Sequence, residues 1–218
     1  MTRAVTRGLF IVLEGIDGSG KSHQAKQLKN IMVAKQHQVL LTQEPQKKSL
    51  GKWVRDELLG DGESGKNSYI LDDMAMLYLL LAARADHVTK TILPALLSGQ
   101  CVICDRFMHS TLAYQGYGGG LDIGLIKNIS QPIMNMIKPD RVFLLDIDVA
   151  IAVQRLEKSR DKKDAMEKKS FDFFEKVRKG FLSLAKQENN VIKIIDGSLP
   201  EDEITQIMEK NISDLLEK

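Results

Sequence analysis

The chain has 218 residues, 43% hydrophobic and 28% charged, a composition typical of a globular protein long enough to bury a sizeable core. Its formal net charge of +2 gives no reason to expect nucleic acid or an anionic membrane as a partner. No run of 18 apolar residues occurs, and the apolar run near the N-terminus is too short for a signal-peptide core, so we expect a cytoplasmic protein.

Five short segments rich in Val, Ile and Leu predict buried parallel strands. They occupy residues 9–13, 39–41, 101–104, 142–145 and 191–195. The segments between them have helical spacing, as in Leu50, Trp53, Val54 and Leu58, which fall on one helix face. Because helix follows strand repeatedly, we expect an α/β fold with a mainly parallel five-stranded sheet. No linker or repeat interrupts this order, so residues 1–218 are expected to form one domain.

A glycine-rich loop follows the first predicted strand. Residues 15–22 match the pattern G-x-x-x-x-G-K-[ST], and a segment with helical propensity comes next. Glycines let backbone N–H groups converge on a phosphate, and a helix N-terminus adds unsatisfied donors. The same letters could also form an ordinary glycine turn, but the flanking strand and helix favour nucleoside triphosphate binding. The predicted ATP-binding residues of this loop are Gly15, Ile16, Asp17, Gly18, Ser19, Gly20, Lys21 and Ser22.

Two side chains of this loop have predicted chemical roles. Lys21 is expected to reach the β- and γ-phosphates, and the Ser22 hydroxyl is expected to be a ligand of Mg²⁺. Three classes of protein use such a loop: a phosphotransferase, a regulatory GTPase, and an ATP-binding module coupled to mechanical work. A GTPase would need the guanine-reading pattern N-K-x-D, which is absent, and 218 residues leave little room for a motor's assembly domain. A small kinase is therefore favoured.

Two cysteines, Cys101 and Cys104, lie in the third predicted strand with the spacing C-x-x-C of a redox pair. Residues three apart on a strand point to opposite faces of the sheet, which places the two thiols poorly for a disulfide. Two core cysteines are therefore favoured over a redox pair.

An acidic residue and an arginine, Asp105 and Arg106, end the same strand. Open α/β folds bind ligands at the carboxyl edge of the sheet, where this pair is expected to lie. Asp105 could orient Mg²⁺ or its water, and Arg106 could hold a phosphate through two hydrogen bonds. The alternative is a structural Asp–Arg pair at the strand end.

Two later segments depart from the alternation of strands and helices. Residues 117–122 (YGGGLD) predict a loop, because three consecutive glycines do not hold a helix or a strand. Residues 155–179 carry ten basic and six acidic side chains, which taken alone predict a solvated helix face.

Several motifs in order resemble the thymidylate kinase family, whose members phosphorylate dTMP with ATP. They are FIVLEGIDGSGKS at 10–22, EP at 44–45, LLLAARADH at 79–87, DRFMHSTLAYQG at 105–116, KPDRVFLLDID at 138–148 and SFDFFEKVRKGF at 170–181. The resemblance runs from about residue 9 to residue 203. It implies a three-layer P-loop kinase fold with a mobile lid at about residues 155–170, ATP and dTMP as substrates, and Mg²⁺ as cofactor.

The resemblance implies roles for matching positions on the acceptor side. Asp17 would lie near the acceptor phosphate and the metal, while Arg84 and Arg106 would hold dTMP, Arg106 mainly through its phosphate. Tyr114 would lie against the sugar, where a 2′-hydroxyl would crowd it, and Gln115 would position the nucleoside. Without the family, the alternative for Tyr114 is a core aromatic. The other predicted dTMP-binding residues are Lys47, Leu80, Ser110, Thr111 and Asp164.

Under this resemblance the charged run becomes a lid over the phosphates. Arg155 matches an arginine that stacks on adenine, and Arg160 is the predicted catalytic lid arginine, with Lys162 and Lys163 as further candidates to neutralise the moving phosphoryl group. Gly18 stands where eukaryotic-type members carry a P-loop arginine, so the lid would have to supply that charge.

The sequence departs from the family pattern at three places. QEPQKK at 43–48 replaces the usual R-E-P-G-G, so that Lys47 or Lys48 would supply charge toward the acceptor phosphate. Leu80 stands where an aromatic residue usually stacks on thymine, and Ala165 stands where a lid arginine is usual.

Residues 74–81 are apolar nearly all round, which predicts either a buried core helix or, as the resemblance implies, the twofold contact of a homodimer. The function predicted overall is in-line transfer of the ATP γ-phosphoryl group to dTMP, giving dTDP on the route to dTTP. Two alternatives stay open: another nucleoside monophosphate or deoxynucleoside kinase, and a P-loop module that binds ATP without transferring phosphate.

Overall fold

The computed structural model describes residues 7–59, 71–159 and 170–216. The strands in this part of the chain are β1 Phe10–Glu14, β2 Val39–Gln43, β3 Cys101–Asp105, β4 Arg141–Asp146 and β5 Ile192–Asp196. They form one sheet in the order β2-β3-β1-β4-β5, and every neighbouring pair is parallel. The predicted five-stranded parallel sheet is confirmed, with strand ends within two residues of those expected.

Helices connect the strands. They are α1 Lys21–Ala34, α2 Ser49–Leu59, α3 Asp73–His87, α4 Leu93–Leu97, α5 Met108–Thr111, α6 Ile123–Met134, α7 Val149–Ser159, α8 Phe171–Gln187 and α9 Glu201–Leu216. Two π-helical stretches, Val88–Ile92 and Leu112–Gly118, join α3 to α4 and extend α5. Within the three described ranges, no helix is both long and apolar enough to cross a membrane.

The core consists of two apolar layers, one on each face of the sheet. Along β1 the side chains alternate, with Phe10 and Val12 in one layer and Ile11 and Leu13 in the other. Helices α1 and α9 cover the second layer, and α3, α6 and α8 contribute to the first. The result is the predicted three-layer α/β arrangement, which places the carboxyl ends of the strands along one open edge.

The positions of the two cysteines follow from these two apolar layers. Cys104 belongs to the first apolar layer and Cys101 to the second, so the two thiols lie on opposite faces of β3. Both are unpaired and buried, and burial raises the pKa of each thiol. The prediction of two core cysteines is confirmed.

The glycine loop is shorter than predicted, because Tyr117 and Gly118 belong to the π-helical stretch and only residues 119–122 leave it. The reason is helix packing: a Cβ on Gly118 would lie 2.7 Å from Val177 Cγ2 and 2.8 Å from Phe173 Cε2 of α8. The absence of a side chain at Gly118 allows the π-helical stretch and α8 to pack closely. The prediction of one loop over residues 117–122 was therefore wrong for its first two positions.

Helix α2 forms as predicted, but its apolar face is only partly used. Val54 is fully buried, whereas Trp53 is 51% exposed and Leu50 is also exposed. The spacing of the apolar residues predicted the helix correctly. It did not predict which of those residues would be buried.

Candidate active site

The loop after β1 has the geometry of a phosphate cradle. Gly15, Gly18 and Gly20 have φ angles of 144°, 82° and 91°, a region that favours glycine. Helix α1 begins directly after Gly20, and none of the described side chains caps it, so the N–H groups of its first turn are available to an anion. The predicted strand, glycine loop and helix therefore occur as one continuous unit.

Gly18 cannot carry a side chain without displacing its neighbour. A Cβ built there would lie 2.5 Å from the backbone carbonyl oxygen of Ala152, because α7 packs directly on the loop. The position is thus closed to an arginine, and any cation for the transferring phosphoryl group must come from elsewhere.

Lys21 is folded back into the loop. Its Nζ donates to the carbonyl oxygen of Ile16 at 2.7 Å and lies 3.4 Å from Ser19 Oγ, and the residue is only 5% exposed. Burial, together with the nearby charge of Arg106, lowers the pKa of Lys21 to about 8. A phosphate in the loop would replace neutral acceptors by an anionic one and so favour the charged ammonium.

Ser22 and Asp105 meet at the edge of the sheet. The Ser22 hydroxyl donates a hydrogen bond to Asp105 Oδ2, while Oδ1 of the same carboxylate is buried and has no hydrogen-bond partner among the described residues. Hydroxyl and carboxylate oxygens suit Mg²⁺, which keeps several waters and binds through few protein ligands plus phosphates. The orphaned oxygen and the oxygen-only donor pair therefore fit a magnesium ion.

Arg106 stands at the centre of a second group of side chains. Its Nη2 donates to Asp17 Oδ1 at 2.6 Å and to the Tyr114 hydroxyl oxygen at 3.3 Å, while Nη1 donates to the Gly15 carbonyl and to Ser110 Oγ, both at 3.1 Å. Tyr114 in turn donates to Asp17 Oδ2 at 2.9 Å. Arg106 has a φ of 69°, an uncommon value for a non-glycine residue.

The charge states in this group follow from its contacts. Burial alone would raise the pKa of Asp17, but the charges of Arg106 and Lys21 and a hydrogen bond from Tyr114 outweigh it and hold the pKa at about 2. Burial raises the pKa of Tyr114, so the phenol keeps its proton. Because the pKa of Asp17 is depressed, its pairing stabilises the fold above about pH 4, and that contribution is lost as the pH falls toward 2.

A third group holds Arg84 in place. Arg84 Nε donates to Glu44 Oε2 at 2.7 Å, and its Nη2 donates to Thr111 Oγ1 at 2.9 Å. His87 Nδ1 lies 3.0 Å from the other Glu44 oxygen, and His87 Nε2 lies 2.9 Å from Thr42 Oγ1. All of these groups except Thr42 are buried, so Arg84 is a fixed cation rather than a mobile one.

One cavity of about 510 Å³ is bordered by all three groups, a volume typical of small-molecule sites. Its wall contains Asp17, Lys21, Ser22, Lys47, Leu80, Arg84, Asp105, Arg106, Ser110, Thr111, Tyr114 and Gln115. Residues far apart in the sequence and singled out for separate reasons are thus brought together around a single space.

Comparison with known proteins decides the family. A family model described as thymidylate kinase matches residues 13–207, most of the chain.

The chain belongs to the thymidylate kinase family.

Individual relatives agree with this assignment. The chain is 39% identical over 202 residues to a thymidylate kinase of Desulfovibrio desulfuricans, covering 90% of this chain and 91% of that protein. It is 41% identical over 189 residues to a thymidylate kinase from the Wolbachia of Brugia malayi, covering 86% of each. A crystal structure of thymidylate kinase from Ehrlichia chaffeensis superposes with a TM-score of 0.76 at 29% identity, covering 95% of this chain and all of that one.

Most of the predicted thymidylate kinase site lies in the described residues, and part of it does not. Arg155 is exposed and lies outside the cavity wall, where its Nη1 donates to the Gly197 carbonyl at 3.0 Å. The predicted lid residues Arg160, Lys162, Lys163, Asp164 and Ala165 lie outside the described residues. Their roles stay predictions.

The cavity also contains residues that the sequence motifs did not single out. Arg55 of α2 and His87 of α3 both line it, as do Gln43, Glu44 and Gln46. Glu44 and His87 do lie within family motifs, which was the available signal. Arg55 offered none, because its place in the wall depends on how α2 packs.

Proposed function

We propose that this member of the thymidylate kinase family transfers the γ-phosphoryl group of ATP to the phosphate of dTMP in the 510 Å³ cavity, giving dTDP and ADP. The observation that carries this proposal is the presence of the P-loop residues Lys21 and Ser22 and the pair Asp17–Arg106 in one wall. Phosphoryl transfer needs positioning and charge neutralisation more than covalent help from the protein. The acceptor phosphate oxygen is itself the nucleophile.

On the donor side, the loop N–H groups and Lys21 would hold the β- and γ-phosphates. Ser22 and Asp105 would hold Mg²⁺, which when bound neutralises phosphate charge and keeps the triphosphate aligned. Arg155, close to the loop after β5, would lie against the adenine. Lys21 would stay charged in the complex because the triphosphate favours the ammonium form.

On the acceptor side, Arg106 would present its planar fork to the dTMP phosphate. Asp17, ionised with a pKa of about 2, would keep that fork oriented, and Tyr114 would pack on the sugar. Arg84 would add a second cation, with Lys47 nearer the cavity mouth. These roles would give a function to an arginine that occupies a sterically unfavourable backbone conformation at position 106.

The base would bind beside Leu80, Ser110, Thr111 and Gln115. Thr111 Oγ1 accepts a hydrogen bond from Arg84, and none of the described hydrogen bonds uses its own hydroxyl proton. That proton would be available to a carbonyl oxygen of thymine, with Asp164 as a further contact suggested by sequence alone. Leu80 would give the ring an apolar contact without stacking.

The cation for the transferring phosphoryl group would come from the lid. Gly18 has no room for a side chain beside Ala152, so the P-loop cannot supply it. We assign the role to Arg160, with Lys162 and Lys163 as alternatives; this assignment rests on sequence, since the three residues lie outside the described ranges.

We also propose a homodimer that forms through α3. One face of this helix is core, with Leu77 and Leu81 buried, as the core-helix alternative predicted. Tyr78, by contrast, is 55% exposed, so its ring is accessible to a partner. We expect sedimentation of the purified chain to give twice the 24.4 kDa chain mass; a monomer at micromolar concentration would contradict this.

A cytoplasmic location remains a proposal.

The acceptor is tested by measuring ADP release with ATP, Mg²⁺ and one monophosphate at a time. We expect dTMP to give a kcat/KM far above those of AMP, CMP and GMP, since Tyr114 would crowd a 2′-hydroxyl and Thr111 would contact the base. A preference for AMP would indicate another nucleoside monophosphate kinase. ADP release that no monophosphate accelerates would indicate an ATP-binding module.

A further inference from the structure

Glu14, the last residue of β1, is a buried carboxylate that the catalytic scheme above does not use. It is 1% exposed, and among the described residues it is not part of the cavity wall. It nevertheless accepts three hydrogen bonds from the turn after β3: from Phe107 N at 2.9 Å, from Ser110 N at 3.1 Å and from Ser110 Oγ at 2.5 Å. A buried acid therefore ties β1 to the segment that carries Arg106.

The contact with Ser110 has a direction. A serine hydroxyl has one proton, and here that proton is donated to Glu14 Oε2. The lone pairs of Ser110 Oγ are then left to accept from Arg106 Nη1, at 3.1 Å. Burial raises the pKa of Glu14, while the charges of His109 and Arg106 and the hydrogen bonds donated by Ser110 and Phe107 oppose that rise. The ionised carboxylate that these contacts favour can only accept a hydrogen bond, so the serine donates its proton to Glu14 and acts as an acceptor toward the arginine.

The backbone at Arg106, in the segment that Glu14 holds, is strained. Arg106 has a φ of 69°, and its backbone N–H donates to the Leu13 carbonyl at 2.9 Å, one residue before Glu14. Backbone strain of this kind persists where surrounding contacts over-determine it. The hydrogen bonds that Phe107 and Ser110 donate to Glu14 supply such contacts on the other side of the arginine.

We propose that Glu14 is a positioning residue for the acceptor side of the reaction, acting through Ser110 to orient the Arg106 guanidinium toward Asp17. The proposal rests on the phosphate-binding role given to Arg106 above. Other charged and titratable groups near Glu14 include His109, whose Nδ1 lies 4.0 Å from Oε1, and Arg106. Lys21 and Cys104 are also close enough to interact with its charge. His109 also contacts Glu188 of α8 at 3.2 Å, so the carboxylate is enclosed on that side.

Glu14→Gln tests the direction of the Ser110 hydrogen bond. Glutamine keeps the size and one carbonyl acceptor for the two backbone N–H groups, but its NH₂ group would donate to Ser110 rather than accept from it. We expect kcat/KM for dTMP to fall about tenfold or more, while KM for ATP stays within about twofold. Ser110→Ala should have a similar effect, and Ser110→Thr, which retains the hydroxyl, should recover most of the activity.

The double variant shows whether Glu14 acts through Ser110 or whether the two residues affect Arg106 independently. If Glu14 acts through Ser110, Glu14→Gln combined with Ser110→Ala should be no worse than the poorer single variant. Multiplicative losses would overturn the proposal, as would a native kcat/KM for dTMP in Glu14→Gln or in Ser110→Ala. If Glu14→Gln does not fold, Glu14→Asp, whose carboxylate is one methylene short of Ser110, replaces it in the single and double variants and is judged by the same outcomes.

A matched control distinguishes positioning from general destabilisation. Ser130 is as buried as Glu14, and its hydroxyl donates to the Ile126 carbonyl within α6, away from the cavity. Ser130→Ala should lower the Tm but leave the dTMP-induced rise in Tm intact, whereas Ser110→Ala should reduce that rise and keep the rise with ATP. Equal loss of both rises in Ser110→Ala would indicate a merely structural role.

Failure of this proposal is distinguishable from failure of the proposed function. If the unaltered chain does not prefer dTMP in the acceptor panel, the proposed function fails whatever the variants do. If it does prefer dTMP and Glu14→Gln retains native kinetics, only the positioning role is wrong.

Discussion

Lys21→Ala should lower kcat by about 10²–10³-fold while the fold is retained. The ammonium is held 2.7 Å from a loop carbonyl and is buried, so a bound triphosphate meets a cation that is already placed where charge develops. Without it, negative charge on the β- and γ-phosphates is left to Mg²⁺ and the loop N–H groups alone. Steady-state kinetics with dTMP and ATP, alongside circular dichroism, measures the effect.

Two companion variants make the Lys21 result specific. Lys21→Arg keeps a positive charge but places a larger, planar group in a tight loop, so an intermediate loss is expected. Lys29→Ala removes a lysine from the same helix at a position outside the cavity wall and should leave kcat unchanged. Native turnover in Lys21→Ala would remove the phosphate-binding role of the loop.

Arg106→Ala should lower kcat/KM for dTMP by about 10³-fold and change KM for ATP by less than about threefold. The guanidinium lies 2.6 Å from Asp17, whose carboxylate would face the incoming phosphate without its ion-pair partner once the arginine is gone. Loss of a bidentate partner and gain of like-charge repulsion then act together on the acceptor alone. The measurement is initial rates over a matrix of both substrate concentrations.

The control for Arg106 is another paired arginine far from the cavity. Arg7 donates to both oxygens of Asp140 at 2.9 and 2.7 Å, so Arg7→Ala removes a comparable two-point ion pair without touching the site. Its kinetics should be native. Arg106→Lys should fall between alanine and arginine, because lysine keeps the charge but not the fork. A loss below tenfold in Arg106→Ala would mean that Arg84 or Arg55 holds the acceptor phosphate.

The sequence was enough to predict the strands, the phosphate-binding loop and the placement of the two cysteines. Each of these features depends on residues that are adjacent or nearly adjacent in the chain. The alternation of Phe10, Ile11, Val12 and Leu13 between two core layers follows from the period of a strand, and the same rule separates Cys101 from Cys104. The three positive φ angles of the loop likewise follow from its glycines. These features need only backbone preference and local periodicity.

Positions whose role depends on a distant element were predicted less well. Gly118 was expected to lie in a loop, yet it is the last residue of the π-helical stretch, where Val177 and Phe173 of α8 leave no room for a side chain. Trp53 was expected on the same helix face as the buried Val54 but is half exposed, which the helical spacing alone did not predict. For Gly118 the deciding atoms belong to another helix, which its own sequence neighbours do not reveal.

For the site, the sequence by itself determined which residues carry chemistry: the loop lysine and serine, the Asp105–Arg106 strand end, and the family motifs. Only the tertiary structure decided how they are connected, for example that Glu14 hydrogen-bonds Ser110, 96 residues away, and that Ala152 closes Gly18 to any side chain. The physical reason is that residue type and spacing set local conformation and charge. The distances between site residues on different strands and helices depend on how those strands pair and how the helices pack on the sheet.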